Sequence, residues 1–467
     1  MARKDIKMKV KCAWEGVKRQ EMRNIMEFAK GYRKFLSIAK TEREAIAEIK
    51  KIAEEKGFLP REKVKKVRKG SKIYWVNREK CMALAVIGGN VMDGLNIVAA
   101  HVDSPRLDLK QKPVYEDKDA CVALFKTHYY GGIKKYQWVN IPLAIHGRII
   151  RKDGSVLDIV VGESDDDPVF TITDLLPHLA RETQNKRTLP EGVKGEELNV
   201  LIGHVPSDDE DEKERVKTRI LELLNEKYGI VEEDFVSAEI EVVPAGKARD
   251  VGFDKSMIGG YGQDDRICAY TSAMAIMDVK NPIRTCVVFL FDKEEIGSES
   301  NTSAQSSFIE DVIADIIDMS VGGGDYLTLR RVFTKSAAIS ADVNAAVNPN
   351  YKDVHELMNA AKIGHGIVIT KFTGRGGKYS ANDAHAEYVG KIRKLFNDHG
   401  IAWQVGELGK VDIGGGGTVA KYLARYNMDI IDCGPSLISM HSPFEITSKV
   451  DLYHSYLAYR TFLEKFK

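Results

Sequence analysis

The sequence lacks an excess of charge of either sign and lacks long apolar runs. Lys and Arg number 69 against 68 Asp and Glu, so the 467 residues carry a formal net charge of +1. A nearly neutral chain has no long-range attraction for nucleic acid or for an anionic membrane surface. No apolar run approaches the ~18 residues that a membrane-spanning helix needs. We therefore expect neither a nucleic-acid partner nor a membrane partner.

Cysteine is scarce, and its spacing excludes two common uses. The chain has six cysteines and no C-x-x-C pair, which argues against a disulfide framework and against a thiolate zinc site. The basic residues near the start of the sequence are not followed by an apolar segment, so no secretory signal is expected. Scattered, reduced thiols and the missing signal predict a cytoplasmic protein.

What the sequence does contain is an alternation of short apolar strands and helices. Hydrophobic residues make up 43% of the chain, enough for a substantial core. Alternation of strands with helices predicts an α/β fold, in which a largely parallel mixed sheet is flanked by helices. DVHELMNAA is expected to be one of these helices. The predicted strands cover residues 82–89, 96–103, 285–292, 337–343, 366–372, 401–408 and 428–434.

This alternation is interrupted between about residues 105 and 246. Short strands separated by turns, with the single amphipathic helix VKTRILELLNEKYG, predict a β-rich second domain. The simplest architecture inserts this domain into the α/β domain. We therefore divide the chain into an α/β domain formed by 1–104 and 247–467 and an inserted domain formed by 105–246.

Imidazole and carboxylate side chains occur at the carboxyl ends of the predicted strands, where open parallel sheets bind ligands. His101 and Asp103 close the strand at 96–103 and, being two residues apart, share a face. A carboxylate in that position can fix the tautomer of a metal-binding imidazole. Taken alone, the pair fits a metal ligand and an ordinary strand-end histidine equally well.

Adjacent carboxylates mark two further places. Asp264 and Asp265 precede an apolar helix, where by themselves they fit a helix N-cap. Glu294 and Glu295 follow a very apolar strand, and neighbouring carboxylates repel each other there unless a cation or a proton relieves them. A metal hydrolase needs one carboxylate as a ligand and another to deprotonate water. A solvated loop is the alternative interpretation of this pair.

Asp342 and His441 complete the set, one at the end of a strand and one in the loop beyond another. Together the donors are two histidines and several carboxylates, with no cysteine among them. Nitrogen and oxygen donors of this kind suit zinc, cobalt or manganese. Two metal ions about 3.5–4 Å apart, bridged by one carboxylate, would use all of them in a hydrolytic centre.

The order of these motifs resembles that of the aspartyl aminopeptidases, a family of di-zinc metallopeptidases, in a bacterial-type form. The resemblance implies a zinc-peptidase-like catalytic domain with an inserted dimerisation domain, which agrees with the division proposed above. It also implies a cytoplasmic metalloaminopeptidase that acts on peptides, its dimers assembling into a dodecamer. The matching segments are AAHVDSPRL, GQDDR, DKEEIGSES, SADV…NPNY and MHSPFE.

By position, the resemblance implies five metal ligands. His101 and Asp342 correspond to the ligands of one metal ion, and Glu295 and His441 to those of the other. Asp264 corresponds to the bridging carboxylate, here followed by an aspartate where many relatives have asparagine. The two divalent ions implied are zinc, with cobalt and manganese as alternatives.

Three further residues receive roles from the resemblance. Glu294 corresponds to the general base and Asp103 to the hydrogen-bonding partner of the metal-binding histidine. His178, in the segment ITDLLPHLA, corresponds to a histidine that reaches the active site of a neighbouring subunit. There it would stabilise the tetrahedral intermediate.

The sequence departs from the family pattern in segments linked with the substrate side chain. Ala345 and Asn348 replace two histidines that usually follow the metal-binding aspartate, and Lys378 stands where arginine is common. Arg375 and Lys378 remain candidate partners of an acidic side chain. The preference is therefore open between acidic (Asp or Glu) and other N-terminal residues. The alternative functions are a related di-metal deacylase or carboxypeptidase and a catalytically silent scaffold protein.

Overall fold

The fold is that of a computed structural model, and the structure describes residues 6–8 and 10–467. Two compact units are present. The α/β unit consists of the described residues through Ser104, Ala248–Met440 and Phe444–Lys467. The insert unit consists of Pro105–Lys247 together with His441–Pro443.

Local signals explain the two N-terminal helices, α1 (Arg19–Ile38) and α2 (Glu42–Glu55). The hydroxyl of Thr41 accepts the backbone N–H of Glu44 at 3.3 Å, and the Glu44 carboxylate accepts the backbone N–H of Thr41 at 3.0 Å. This reciprocal capping box satisfies donors that an isolated helix end leaves unpaired. It therefore defines the start of α2.

The other helices are distributed over both units, and none of the described helices is long and apolar enough to cross a membrane. The insert unit contains α3 (Pro177–Ala180) and α4 (Arg215–Tyr228). The α/β unit contains α5 (Gln263–Met277), α6 (Phe308–Val321), α7 (Tyr326–Lys335), α8 (Ala386–Asp398), α9 (Ala420–Leu423) and α10 (Lys449–Lys465).

A nine-stranded mixed sheet forms the centre of the α/β unit. Its spatial order is β1 (Leu59–Pro60), β2 (Lys72–Asn77), β3 (Cys81–Val86), β14 (Thr285–Phe291), β4 (Leu95–His101), β15 (Ala337–Ser340), β19 (Asp429–Gly434), β17 (Ile367–Thr370) and β18 (Trp403–Val405). The central strands β14, β4, β15 and β19 are parallel. β3 runs antiparallel to both of its neighbours, and β17 is antiparallel to β19. The expected α/β class with a largely parallel mixed sheet is confirmed.

Two smaller sheets complete the fold. In the α/β unit, five strands lie in the order β12 (Arg249–Val251), β13 (Met257–Gly260), β21 (Glu445–Ser448), β20 (Ser436–Ile438) and β16 (Asn344–Ala345). The insert unit contains an antiparallel sheet of β8 (Val156–Val161), β7 (Leu143–Ile150), β11 (Glu239–Pro244), β5 (Arg106–Asp117), β6 (Val122–Tyr130), β10 (Val200–Gly203) and β9 (Thr171–Ile172). The β-rich character expected of the inserted segment is confirmed.

Side chains of the nine-stranded sheet alternate between two apolar cores. On β4, Val98 and Ala100 pack with residues of α1, α2, α5, α8 and α10, whereas Ile97 and Ala99 pack with residues of α6, α7 and α9. Successive residues of a strand point to opposite faces, so covering both faces requires a continuous apolar strand. Polar side chains of the central strands are consequently concentrated near the strand ends.

The helix predicted for DVHELMNAA is wrong. Only Lys352–Val354 adopts a short 3₁₀ turn there. The carboxylate of Glu356 accepts the backbone N–H groups of Met358 at 3.2 Å and Asn359 at 3.1 Å, which gives the backbone an alternative to helical pairing. Leu357 and Met358, the largest apolar side chains of the segment, are exposed, so the hydrophobic spacing is not matched by burial.

Candidate metal centre

The carboxyl ends of three neighbouring parallel strands, β14, β4 and β15, lie side by side in the α/β unit. β4 ends at His101, Glu294 follows β14, and Asp342 follows β15. Parallel strands place their carboxyl ends at one edge of a sheet, so side chains that are far apart in sequence meet there. The candidate site is built on this edge.

Asp103 contacts both the histidine that ends β4 and the loop that follows β14. Its Oδ1 lies 3.2 Å from Nδ1 of His101 and accepts the backbone N–H of Glu294 at 3.0 Å. Its Oδ2 accepts the backbone N–H of Glu295 at 3.1 Å. Asp103 is completely buried. The backbone carbonyl oxygen of Asp103 also lies 3.1 Å from Nδ1 of His101, so Asp103 orients the imidazole through both groups, and its carboxylate fixes the loop that carries the two glutamates.

The first turn of α5 is distorted where it carries Asp264 and Asp265. Both residues have non-helical backbone angles, and the N-cap, Gly262, provides no side-chain cap. Oδ1 of Asp264 lies 3.3 Å from Nε2 of His101, and Oδ2 of Asp265 accepts the His101 backbone N–H at 3.3 Å. The aspartates therefore face the histidine, and the N-cap interpretation of this motif is wrong.

Potential ligand atoms fall into two groups that share His101. Atoms of His101, Asp264 and Glu295 lie within 4.8 Å of one another. Atoms of His101, Asp265 and Asp342 form the second group, with the same limit. The sequence-predicted site residues that the structure brings together at this edge are His101, Asp103, Asp264, Glu294, Glu295 and Asp342.

Carboxylates packed around one imidazole perturb one another. Burial raises the pKa of Asp342 and of Asp265 well above the usual carboxyl value, an increase that His101 opposes and Asp264 reinforces. Burial lowers the pKa of His101, but its hydrogen bonds with Asp103 and Asp264 outweigh that effect and leave its pKa well above the usual value. A divalent cation would stabilise this concentration of negative charge.

The chemistry of the donors fits a divalent metal ion. One imidazole and several carboxylates suit zinc, cobalt or manganese. The buried Oδ1 of Asp265 has no hydrogen-bond partner in the described residues, and a metal ion would satisfy such an oxygen. Glu294 belongs to neither donor group, although its Oε2 lies 4.0 Å from Nε2 of His101. The arrangement can therefore hold metal and keep one carboxylate for proton transfer.

Two predicted site residues lie in the insert unit. His441 belongs to the short segment His441–Pro443 of that unit, and its Nδ1 lies 2.9 Å from the carbonyl oxygen of Gly132. His178 is exposed on α3. The two donor groups above include neither histidine. The roles implied for both residues stay predictions.

Sequence reasoning missed two contributors. The sequence predicts no ligand role for Asp265, although it shares a donor group with His101 and Asp342. Ser104 was not considered, yet its hydroxyl donates to the carbonyl oxygen of Asp264 at 2.6 Å. Both residues directly follow a predicted site residue or its partner, and that adjacency was the available signal.

A mixed parallel sheet with histidine and carboxylate donors at its carboxyl edge defines the class of metal-dependent hydrolases. A model of the family described as aminopeptidase I zinc metalloprotease (M18) matches residues 35–463. The chain belongs to this M18 family. It is accordingly a metal-dependent aminopeptidase, and the resemblance to the family is confirmed.

Bacterial relatives match the chain over almost its whole length. A probable M18 family aminopeptidase 1 of Thermotoga maritima is 51% identical over 460 residues, covering 98% of this chain and 100% of its own. A crystal structure of the M18 aminopeptidase from that organism has a TM-score of 0.94, with the same identity and coverage. The crystal structure of aminopeptidase I from Clostridium acetobutylicum has a TM-score of 0.90 at 46% identity, covering 98% of this chain and 100% of its own.

A structure of the S. cerevisiae mApe1 dodecamer shares the fold at 21% identity, with a TM-score of 0.75, covering 95% of this chain and 97% of its own.

Proposed function

We propose that the site binds two zinc ions and removes N-terminal residues from peptides. His101 and Asp342 would bind one ion, Glu295 and His441 the other, and Asp264 would bridge them. The observation that carries this proposal is that His101, Asp264, Glu295 and Asp342 offer ligand atoms at one edge of the sheet, where Glu295 and Asp342 belong to different donor groups. When bound, two zinc ions supply Lewis acidity that polarises a scissile carbonyl and makes water more acidic.

The contact made by His441 supports its proposed role as a ligand. A metal-binding imidazole commonly donates its second ring N–H to a carbonyl or a carboxylate, which fixes the tautomer. Nδ1 of His441 lies 2.9 Å from the carbonyl oxygen of Gly132. If that contact is a hydrogen bond donated by Nδ1, Nε2 carries the lone pair that a metal ion requires.

Glu294 is the proposed general base. Its side chain is mostly buried, and its Oε2 stands 4.0 Å from the nitrogen of His101 that faces the donor oxygens. In this role Glu294 takes a proton from the attacking water and returns it to the leaving amine. Asp103 holds the backbone of the glutamate in place through the 3.0 Å hydrogen bond.

An acidic N-terminal residue is the proposed preferred substrate. Of the two candidate cations, Lys378 already pairs with Asp383, its Nζ lying 2.9 Å from Oδ2. Asp383 also pairs with Lys371. Arg375 is exposed in the same loop, and its guanidinium is suited to bidentate recognition of a carboxylate. We therefore prefer Arg375 to Lys378 as the residue that recognises the carboxylate of the substrate side chain.

The proposed assembly is a homo-oligomer in which dimers combine into a dodecamer, the form named for the S. cerevisiae relative. In this assembly the insert unit would mediate dimerisation, and His178 would act in a neighbouring subunit. The residues around His178 support a subunit contact, because Leu175, Leu176 and Leu179 are exposed and exposed apolar clusters often mark interaction surfaces. A cytoplasmic location is proposed from the six free cysteines.

A substrate panel tests the activity and the specificity together. The chelated protein is supplied with zinc, cobalt or manganese and assayed with peptides that differ only in the N-terminal residue. Metal-dependent release with the highest kcat/KM for Asp or Glu is expected. A preference for Leu or Met contradicts the acidic specificity. Release from the carboxyl terminus, deacylation, or no metal-dependent hydrolysis contradicts the proposed function and favours one of the alternatives.

A further inference from the structure

Glu445, on β21, contacts the backbone of the turn that carries Asp264. Its Oε2 accepts the backbone N–H of Gln263 at 2.5 Å and that of Asp264 at 3.2 Å. The carbonyl oxygen of Glu445 accepts the side-chain amide of Gln263 at 2.6 Å. The glutamate is only 2% exposed. A buried carboxylate thus binds two successive peptide groups of this turn.

The distortion of α5 explains why an acceptor from elsewhere is needed. A helix leaves its first N–H groups without intrahelical partners, and a side chain at the N-cap commonly accepts one of them. The N-cap here is Gly262, which has no side chain to offer. Glu445 takes that place from a different strand, and its negative charge is favourable near a helix N-terminus. The pairing of β21 with β13 brings it there, because Glu445 is opposite Gly260 in the ladder.

The backbone of Asp264 is held from both sides. Its N–H donates to Glu445, and its carbonyl oxygen accepts the hydroxyl of Ser104 at 2.6 Å. The preceding residue, Gln263, is fixed independently, because its side-chain oxygen accepts the hydroxyl of Tyr32 at 3.3 Å. The position of the Asp264 backbone, from which its carboxylate projects, is therefore set by contacts outside its own helix.

We propose that Glu445 is a positioning residue of the metal centre, which sets the Asp264 carboxylate for metal binding by holding its peptide N–H. This inference rests on the proposed function, in which Asp264 bridges the two ions. A carboxylate oxygen can accept two N–H groups at once with the benefit of its charge. Glutamine in its place keeps the size of the side chain but removes that charge.

Zinc affinity provides the test, measured by competition with a chromophoric chelator and without any substrate. E445Q is expected to bind zinc about 10–100-fold more weakly than the wild type, the range for loss of a residue that orients a metal ligand. E464Q is the matched control: Glu464, on α10, is 8% exposed and accepts the backbone N–H of Lys280 at 2.7 Å. It makes the same kind of contact away from the centre, so its zinc affinity should equal that of the wild type.

E445D is a second variant that keeps the inference testable if E445Q does not fold. It keeps the charge but shortens the side chain, so its zinc affinity should lie between those of the wild type and E445Q. The visible absorption of the cobalt-loaded proteins should change in the same order, because the ligand geometry changes. Equal zinc affinity of E445Q and the wild type overturns the inference, as does an equal loss in E464Q. If E445Q does not fold, equal zinc affinity of E445D and the wild type overturns it. A wild-type chain that binds no zinc contradicts the proposed function itself.

Discussion

Oδ1 of Asp103 accepts the backbone N–H of Glu294 at 3.0 Å. The same oxygen lies 3.2 Å from the imidazole of His101. A candidate metal ligand and the backbone of the proposed base therefore contact the same carboxylate oxygen at the end of β4. This arrangement suits a reaction in which the general base must lie at a fixed distance from the metal-binding side chains.

Replacing Glu294 with glutamine should leave zinc binding intact and lower kcat by at least ~100-fold, the scale of general-base catalysis. The amide keeps the shape of the side chain but cannot accept the proton. Zinc content and steady-state kinetics measure the two effects separately. The exposed Glu299 provides a control, because E299Q should retain wild-type kcat. Retained activity in E294Q would show that another residue is the base.

D103N should weaken both zinc binding and catalysis. One oxygen of asparagine can still accept an N–H, but its NH₂ group then faces the N–H of Glu294 or Glu295. We expect zinc affinity to fall about 10–100-fold, as for other partners of metal ligands, with a parallel loss of kcat/KM. Chelator competition measures the affinity. Unchanged affinity would restrict Asp103 to a role in holding the loop.

R375A should raise KM for peptides that begin with Asp or Glu and leave KM for neutral N-terminal residues nearly unchanged. A charge-assisted contact of this kind contributes about 1.5–3 kcal/mol, which corresponds to a roughly 10–100-fold effect. K378A should have the smaller effect on KM, because its ammonium pairs with Asp383. A larger increase in KM in K378A than in R375A would indicate that Lys378 recognises the acidic side chain.

Subunit mixing tests whether His178 acts in trans. H178A and E294Q should each be inactive or nearly so as pure assemblies. Mixed assemblies should regain part of the activity, because some sites would combine an intact glutamate with an intact histidine from the neighbour. Subunit exchange is verified with a fluorescent label on each variant. Exchange without recovery of activity would contradict the role in trans.

Asp451 should make the stability of the metal-free protein depend on pH. It is buried, its oxygens accept the N–H groups of Gly364 and Gly366 at 2.6 Å each, and burial raises its pKa to about 7 from 3.8. The folded state thus binds the proton more tightly, so this stabilisation is complete below the unfolded pKa and is lost as pH rises toward about 7.

The D451N variant isolates that contribution. Between pH of about 4 and 7, the wild type should lose on the order of 4 kcal/mol more unfolding free energy than D451N. Urea unfolding of both proteins across this pH range gives the difference, in which the contributions of other titratable groups cancel. Parallel pH profiles would show that Asp451 titrates at its ordinary value.

The strands were predictable because they obey a local rule. β14 and β4 are buried on both faces, so their central residues are apolar, and the polar site residues lie at or just beyond the carboxyl ends of the strands. The same rule failed at DVHELMNAA, where apolar residues occur at helical spacing but the largest of them, Leu357 and Met358, are exposed. The spacing of apolar residues alone does not show whether a helix formed by them would pack against the core.

The first turn of α5 was not predictable, because its shape depends on distant residues. The contact between Glu445 and Asp264 joins positions 181 residues apart, and no local pattern encodes it. Without that contact the two aspartates were equally consistent with a capped, regular helix. Asp265 was missed for the same reason, since its contact with the backbone N–H of His101 joins residues 164 positions apart.

The insert follows β4 directly, so the chain supplies His101 long before it supplies Asp264, Glu295 and Asp342. A fragment that ends within the insert contains only the first of these four proposed ligands. If these four residues are the ligands, high-affinity metal binding requires that the strands on both sides of the insert in sequence have assembled into the nine-stranded sheet. In a growing chain, zinc would then bind only after the α/β unit has folded. Incomplete chains would have no hydrolytic activity.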